Sequence, residues 1–126
     1  MTDEGDPTAE EGIGPDLVRW GRAARLETTG RRTGRRAVVH VSFHEEIDGS
    51  LLVAAGTPDA QWAHNLAADP SARVTVADRT FEVMAEPLAG AEFATAIREL
   101  ILKGGTPAER LGHGPAFRLR RVIRMT

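Results

Sequence analysis

The fold follows from residues 24–44, which read ARLETTGRRTGRRAVVHVSFH. The segment 24–29 ends in two β-branched threonines, and the segment 37–44 contains three valines and one phenylalanine. Both compositions are typical of strands. Glycines at 30 and 34 punctuate a turn between them. The stretch therefore predicts two strands joined by an arginine-rich turn, and we refer to residues 30–36 as the arginine turn.

The rest of the chain repeats this pattern of short strands and turns. Asp48-Gly49 is a hairpin signal because both residue types tolerate positive φ. Apolar residues three or four positions apart indicate the helices, whereas alternating apolar and polar residues indicate the strands. In chain order the sequence predicts a short helix from Pro15, a hairpin turn at 47–50, a central apolar strand at 51–55, a short helix at 60–68, strands at 71–77 and 80–87 around a two-residue loop at 78–79, a long helix at 91–103 ended by Gly104-Gly105, a last turn at 106–111, and a final strand at 116–123.

About six short strands with one longer helix exclude a doubly wound parallel sheet, which needs regular strand–helix alternation. We predict an α+β fold, mostly β, built as a small antiparallel barrel with helices packed on it. The 126 residues fit one domain. Residues 1–14 are acidic and poor in large apolar side chains, which predicts a disordered tail. The folded domain is then 15–126.

Composition excludes several functional classes. The chain has no cysteine, which excludes disulfides, cysteine zinc sites, thiol nucleophiles and iron–sulfur clusters. Redox chemistry must therefore come from a bound cofactor. No apolar run approaches the ~20 residues of a membrane span, and the acidic N-terminus does not resemble a secretory signal. We expect a cytoplasmic protein.

The net charge of −2 conceals a strong asymmetry. Residues 1–16 contain only acids among their charged side chains, whereas residues 17–36 contain seven arginines against Glu27. Arginine binds phosphate and carboxylate through two parallel hydrogen bonds, which lysine cannot do. The arginine turn, with its two glycines, Thr33 and the preceding Thr28 and Thr29, is therefore a candidate anion site. The alternative is a solvated, functionally inert turn.

A second candidate is the segment Trp62-Ala63-His64-Asn65-Leu66, which follows a loop after a buried strand. Polar residues near such loops often belong to sites. The alternative is a core tryptophan beside a structural asparagine.

Histidines give little support for a metal site. His40 and His44 fall on one predicted strand, where four residues separate side chains by roughly 13 Å. We therefore expect no metal. His40 and His64 are candidates for a proton donor, and no catalytic residue is assigned.

Taken in order, the motifs Thr28-Thr29-Gly30-Arg31-Arg32-Thr33-Gly34 and Trp62-x-x-Asn65-Leu66-x-x-Asp69-Pro70 resemble the deazaflavin-dependent nitroreductase family of actinobacteria. The resemblance covers about residues 26–86. It implies a split β-barrel related to flavin reductases, and an oxidoreductase that uses coenzyme F420. The reduced cofactor transfers a hydride to a quinone-like, nitroaromatic or other conjugated acceptor. The cofactor-binding residues implied by the resemblance are Arg31, Arg32, Thr33, Gly34, Arg36, Ala54, Ala55, Gly56, Thr57, Trp62 and Asn65.

The sequence departs from the family in three respects, one of which is that Val38-Val39-His40 replaces a proline-led stretch common in the family's second strand. The loop at 54–61 is short and lacks lysine, and the chain has no tyrosine on the acceptor side. The first alternative is therefore a non-catalytic split-barrel protein that binds a flavin, haem or a lipid, with FMN as the less favoured cofactor. A nucleic-acid-binding barrel is disfavoured because single-strand binders need aromatic stacking platforms. Related barrels also make a homodimer a reasonable expectation.

Overall fold

The computed structural model describes residues 14–103 and 113–122. Within them the chain forms three helices and seven strands. The elements are α1 (Gly14–Arg19), β1 (Ala24–Thr29), β2 (Arg36–Val41), β3 (His44–Glu45), β4 (Leu51–Ala54), α2 (Gln61–Ala68), β5 (Ser71–Val76), β6 (Arg79–Pro87), α3 (Gly90–Leu102) and β7 (Ala116–Arg121).

All seven strands belong to one antiparallel sheet with the order β2-β1-β5-β6-β7-β4-β3. The sheet is curled into a half-barrel, and this confirms the predicted α+β split-barrel class. The two edge strands, β2 and β3, are separated by only two residues in the chain. An ion pair between Arg79 and Glu45, with nitrogen and oxygen 2.9 Å apart, connects β6 to β3 across the curl.

The main core lies inside the curl, and α2 packs against it. Inward residues alternate along β1, where Ala24 and Leu26 are fully buried while Arg25 and Glu27 face the outer side. Trp62 and Leu66 are four residues apart and place one face of α2 into this core. The helix is therefore fixed on the inner face, next to the end of β1.

A second, smaller core lies on the outer face beneath α3. Leu52 of β4 packs there with Ala96 of α3, while Leu51 and Val53 face the main core. This arrangement explains the uninterrupted apolar run at 51–53, from which we predicted a central strand. β4 is instead next to the edge of the sheet, and its two faces are buried because α3 covers the outer one.

Two further predictions need correction. The strand predicted over 37–44 is divided into β2 and β3, so His40 and His44 lie on opposite edges of the sheet. The two-residue hairpin loop is at 77–78 instead of 78–79, because Val76 pairs with Arg79 and Ala77 adopts a φ of +54°. The sequence pattern predicted His44 as the end of one long strand and did not predict β3 as a separate strand.

Other predictions lie partly outside the described residues. The acidic tail falls there except for Gly14, which begins α1, and so do Gly104-Gly105 and the turn at 106–111. These stay predictions.

Candidate functional site

The arginine turn is held by its own backbone. The Gly30 N–H donates to the Arg35 carbonyl at 2.7 Å, and the Gly34 N–H donates to the Gly30 carbonyl at 2.8 Å. Gly34 has a φ of +71°, a conformation that glycine adopts without the cost that a side chain imposes. The Thr33 hydroxyl accepts a hydrogen bond from the Arg35 N–H at 3.1 Å. The local sequence therefore fixes a compact turn between β1 and β2.

Arg31 joins this turn to α2. Its Nη1 donates to the Asn65 side-chain oxygen at 2.9 Å, and its Nη2 donates to the Gln61 side-chain oxygen at 2.7 Å. The Arg31 backbone N–H also donates to the Asn65 oxygen, at 3.2 Å. These bonds bring together the two motifs that the sequence presented more than thirty residues apart.

Asn65 is completely buried, with 0% of its surface exposed. A buried amide needs hydrogen-bond partners, and Asn65 obtains all its side-chain partners from β1 and the arginine turn. Its oxygen accepts both bonds from Arg31, and its Nδ2 lies 3.4 Å from the Thr28 hydroxyl. We refer to Thr28, Arg31, Gln61 and Asn65 as the turn–helix network.

The other arginines of the turn have different surroundings. Arg32 and Arg35 are exposed, and none of the acidic side chains in the described ranges pairs with them. Arg36 instead pairs with Glu27 on the outer face of the sheet, with nitrogen and oxygen 3.2 Å apart. There it lines an open groove of about 620 Å³ together with Arg73. The structure therefore separates Arg31 and Arg36, which lie toward opposite faces of the sheet.

The segment 54–57 leads from β4 toward α2. Ala55 is buried and donates its N–H to the Pro115 carbonyl at 2.8 Å. Gly56 and Thr57 are exposed. In the described part of the chain no backbone carbonyl accepts their N–H groups, so these two are the donors that the segment can offer to a ligand.

Gly114 supports this segment and was missed in the sequence. A Cβ atom at Gly114 would lie 2.4 Å from the Thr57 carbonyl oxygen and 2.8 Å from that of Ala55. Only a glycine leaves room for this close approach. Nothing local at Gly114 signals it, because the contact joins positions almost sixty residues apart.

The N-terminus of α2 begins beside the turn–helix network. Its N-cap residue, Ala60, provides no side-chain hydrogen bond, and the first turn contains no acidic residue. The free N–H groups at a helix N-terminus favour negative charge. Gln61, the first residue of the helix, contacts Arg31, so positive charge and free N–H donors lie on the same side of the fold.

The remaining predicted residues have distinct positions. Trp62 is buried, and its ring centroid lies 6.1 Å from that of Phe117 within the main core. His64 is exposed on α2. His40 pairs in register with Arg25 on the outer side of β1, whereas its neighbours Val39 and Val41 face the main core. Of the two histidines, only His64 lies on an element of the turn–helix network.

Most charges away from the arginine turn neutralise one another. Arg118 pairs with Glu46, with nitrogen and oxygen 2.7 Å apart, and with Glu92 at 3.0 Å; these hydrogen bonds raise the pKa of its guanidinium. Hydrogen bonds from Arg79 hold the pKa of the Glu45 carboxyl below its usual value. Arg32 and Arg35 have no such partner among the acidic side chains of the described residues.

The described residues contain neither a metal-binding cluster nor a membrane-spanning helix. Among them, no group of three or more histidine and acidic side chains could hold a metal ion. No helix in the described part of the chain has the length and apolar character needed to cross a membrane.

The geometry defines a curled antiparallel sheet whose arginine turn and helix N-terminus together favour an anionic ligand. Solved structures with this fold include one described as an F420-H2 dependent reductase (FDR-A), which is 24% identical to this chain with a TM-score of 0.65, over 79% of this chain and 94% of the other. A second structure, described as a domain-swapped dimer, is 20% identical with a TM-score of 0.67, over 84% and 92% of the two chains. HutZ, a haem storage protein from Vibrio cholerae, is 19% identical with a TM-score of 0.64, over 92% of both chains.

The sequence identifies the family more narrowly than the fold does. Residues 9–104 match the sequence model of the F420H(2)-dependent quinone reductases, so the chain belongs to this family. It is therefore an enzyme, an F420-dependent reductase, and the resemblance seen in the two motifs is confirmed. A search of curated proteins found no match to the sequence.

Proposed function

We propose that this protein transfers a hydride from reduced F420 to a small quinone-like, nitroaromatic or other conjugated acceptor, and that it binds the cofactor at the arginine turn. The observation that carries the proposed site is the exposed pair Arg32 and Arg35, which lacks acidic partners among the described residues. The F420 tail carries a phosphate and several carboxylates, so its charge complements this pair.

The residues present fit such a tail. Gly30 and Gly34 shape the turn, and within the described structure the N–H groups of Arg32 and Thr33 have no carbonyl acceptor. Successive free N–H groups in a turn form an anion-binding concavity, and arginine adds charge-assisted hydrogen bonds. Arg32, Arg35 and the backbone at 32–33 are the proposed tail contacts. Arg31 lies behind them in the turn–helix network.

The deazaflavin ring is proposed to lie along the segment 54–57. The Gly56 and Thr57 N–H groups are its available donors, and Trp62 stabilises the helix behind them. The bound cofactor supplies the hydride chemistry, whereas the chain binds and orients it. Orientation alone lowers a transfer barrier, because a positioned donor and acceptor no longer lose entropy in meeting.

A proton must accompany hydride transfer to a quinone-like acceptor. His64 is the proposed donor because it is exposed on α2, one turn after Gln61. His40 has less support, since it lies on the outer side of β2.

Two other ligands, haem and FMN, compete with F420 as the molecule that this site binds. The likeness to haem proteins such as HutZ favours haem as the competing ligand, and FMN is the competing redox cofactor. We further propose a homodimer, supported by the solved structure described as a domain-swapped dimer. Light scattering at several protein concentrations tests the dimer directly.

The cofactor site is tested by charge removal at the turn. Each charge-assisted hydrogen bond contributes about 1.5–3 kcal/mol of binding free energy when it is buried and less when it is exposed. The double variant Arg32→Gln/Arg35→Gln should therefore weaken F420 binding about 10- to 100-fold, measured by cofactor fluorescence. The matched control is Arg22→Gln/Arg98→Gln, which changes the net charge equally at exposed positions outside the turn.

The outcome is decided by comparing the two double variants. Equal affinities would overturn the assignment of the tail to the arginine turn. The acceptor is tested separately by supplying reduced F420 with a naphthoquinone or a nitroaromatic and following the return of oxidised-cofactor fluorescence. Turnover with neither acceptor would overturn the proposed acceptor class.

A further inference from the structure

The turn–helix network gives Arg31 a different role from the neighbouring arginines. Its guanidinium donates to two amide oxygens, at 2.9 Å to Asn65 and 2.7 Å to Gln61. Gln61 and Asn65 are four residues apart, so they lie on one face of α2. The planar guanidinium thus spans one helical turn, and its two Nη atoms point at the protein.

The network is also connected to the interior. Asn65 has 0% exposure and joins Arg31 to the Thr28 hydroxyl of β1. Trp62 and Leu66 of the same helix are fixed in the main core. A displacement of the arginine turn relative to α2 would therefore leave the buried Asn65 amide without its partners, which is unfavourable.

From this geometry we propose that Arg31 and Asn65 are positioning residues for the cofactor site. They fix the arginine turn against the N-terminus of α2, so that Arg32, Arg35 and the free N–H groups face one ligand together. This proposal rests on the proposed function, and it assigns Arg31 and Asn65, which the sequence placed among the cofactor contacts, to a different task.

Arg31→Lys separates positioning from a cofactor contact that depends on positive charge alone. Lysine keeps the positive charge but cannot donate to two amides in the planar geometry of arginine. If Arg31 acts by positioning, Arg31→Lys and Arg31→Gln should both weaken F420 binding by about 10-fold or more, since each loses bonds from a charged donor. If Arg31 contacts the cofactor through its charge, Arg31→Lys should bind like the wild type, and the proposal is overturned.

Asn65 provides an independent measurement through a double-mutant cycle. Asn65→Ala should weaken F420 binding. The double variant Arg31→Gln/Asn65→Ala should lose no more affinity than whichever single variant binds F420 more weakly. Additive losses would show that the residues act separately and would contradict the proposal. Gln61→Ala removes one partner of Arg31 at a half-buried position, and we expect a smaller loss of about threefold. It replaces Asn65→Ala in the cycle if the latter does not fold.

The salt dependence of binding adds a readout that a general loss of structure would not give. Screening weakens exposed charge contacts. Removing Arg32 and Arg35 should therefore flatten the salt dependence of F420 affinity, whereas Arg31→Lys should lower affinity with the dependence unchanged. Thermal unfolding of each variant confirms that it is folded, and Arg98→Gln on α3 is the control.

Failure of the proposed function has a separate signature. If the wild-type protein does not bind F420, the proposed function fails and the positioning role fails with it. If the wild type binds F420 and Arg31→Lys binds equally well, only the positioning role is overturned.

Discussion

Gly114 is the position where a single added methyl group should have the clearest effect on the stability of the fold. A Cβ atom there would lie 2.4 Å from the Thr57 carbonyl oxygen and 2.7 Å from the Thr57 carbonyl carbon, whereas ordinary contacts begin near 3.4 Å. The φ of Gly114 lies outside the left-handed region, so the requirement is for space. Both atoms in conflict are backbone, and Gly114→Ala must displace the segment 55–57 by about 1 Å.

The magnitude follows from the cost of overpacking. Forcing an extra carbon into a tight contact costs about 1–3 kcal/mol. For a chain of this length, 1 kcal/mol lowers the melting temperature by about 3–6 °C. We therefore expect Gly114→Ala to melt about 5–15 °C below the wild type. The hydrogen bond from the Ala55 N–H to the Pro115 carbonyl, 2.8 Å long, should weaken with it.

The assay is thermal unfolding followed by circular dichroism, with F420 affinity measured on the same samples. His113→Ala is the matched control, because His113 is exposed and the change adds no atom near Thr57. It should melt within about 2 °C of the wild type. A Gly114→Ala protein with wild-type melting temperature and wild-type F420 affinity would refute the reasoning about the segment 55–57.

Further predictions concern the core and the surface charges. Trp62→Ala should lower the free energy of unfolding by about 3–5 kcal/mol in urea titrations, whereas Trp20→Ala, at a residue that is 62% exposed, should change it by less than about 0.5 kcal/mol. Hydrogen bonds from Arg79 lower the pKa of the Glu45 carboxyl in the folded protein below its usual value of 4.5. The pair therefore stabilises the folded state at pH values above 4.5. This contribution is lost as the pH falls through the lowered pKa of the folded state. Arg79→Ala should therefore reduce stability by a few tenths to about 1 kcal/mol at pH 7, and the difference from the wild type should vanish near about pH 2, well below the usual carboxyl pKa. An equal difference at both pH values would show that the pair is not the cause.

Local patterns predicted much of the fold. β1 begins and ends where the sequence places it, β5 and α2 each differ from the prediction by one residue at one end, and α3 is shifted by one residue. Each of these elements has a strong period and a turn signal beside it. β3 has a turn signal after it at Asp48-Gly49 but is too short to show a period, and its two residues, His44 and Glu45, are held by pairing with β4 and by the ion pair of Glu45 with Arg79.

The sequence could predict which residues are chemically suited to an anion, but not how they are arranged. Arg31, Arg32 and Arg36 are equivalent in the sequence. Their environments differ because Asn65 accepts hydrogen bonds from Arg31 and Glu27 pairs with Arg36. Such contacts depend on how α2 and β1 pack, which no local pattern contains. The same holds for Gly114, whose requirement comes from the distant Thr57.

The central claim is that this chain binds F420 at the arginine turn. The most direct test is a titration of the purified protein with F420 at moderate salt, followed by cofactor and tryptophan fluorescence, with FMN and haem titrated in parallel. We expect saturable binding of F420 in the micromolar range, weakened by Arg32→Gln/Arg35→Gln and unchanged by Arg22→Gln/Arg98→Gln. No binding of F420, with saturable binding of haem or FMN, would contradict the claim.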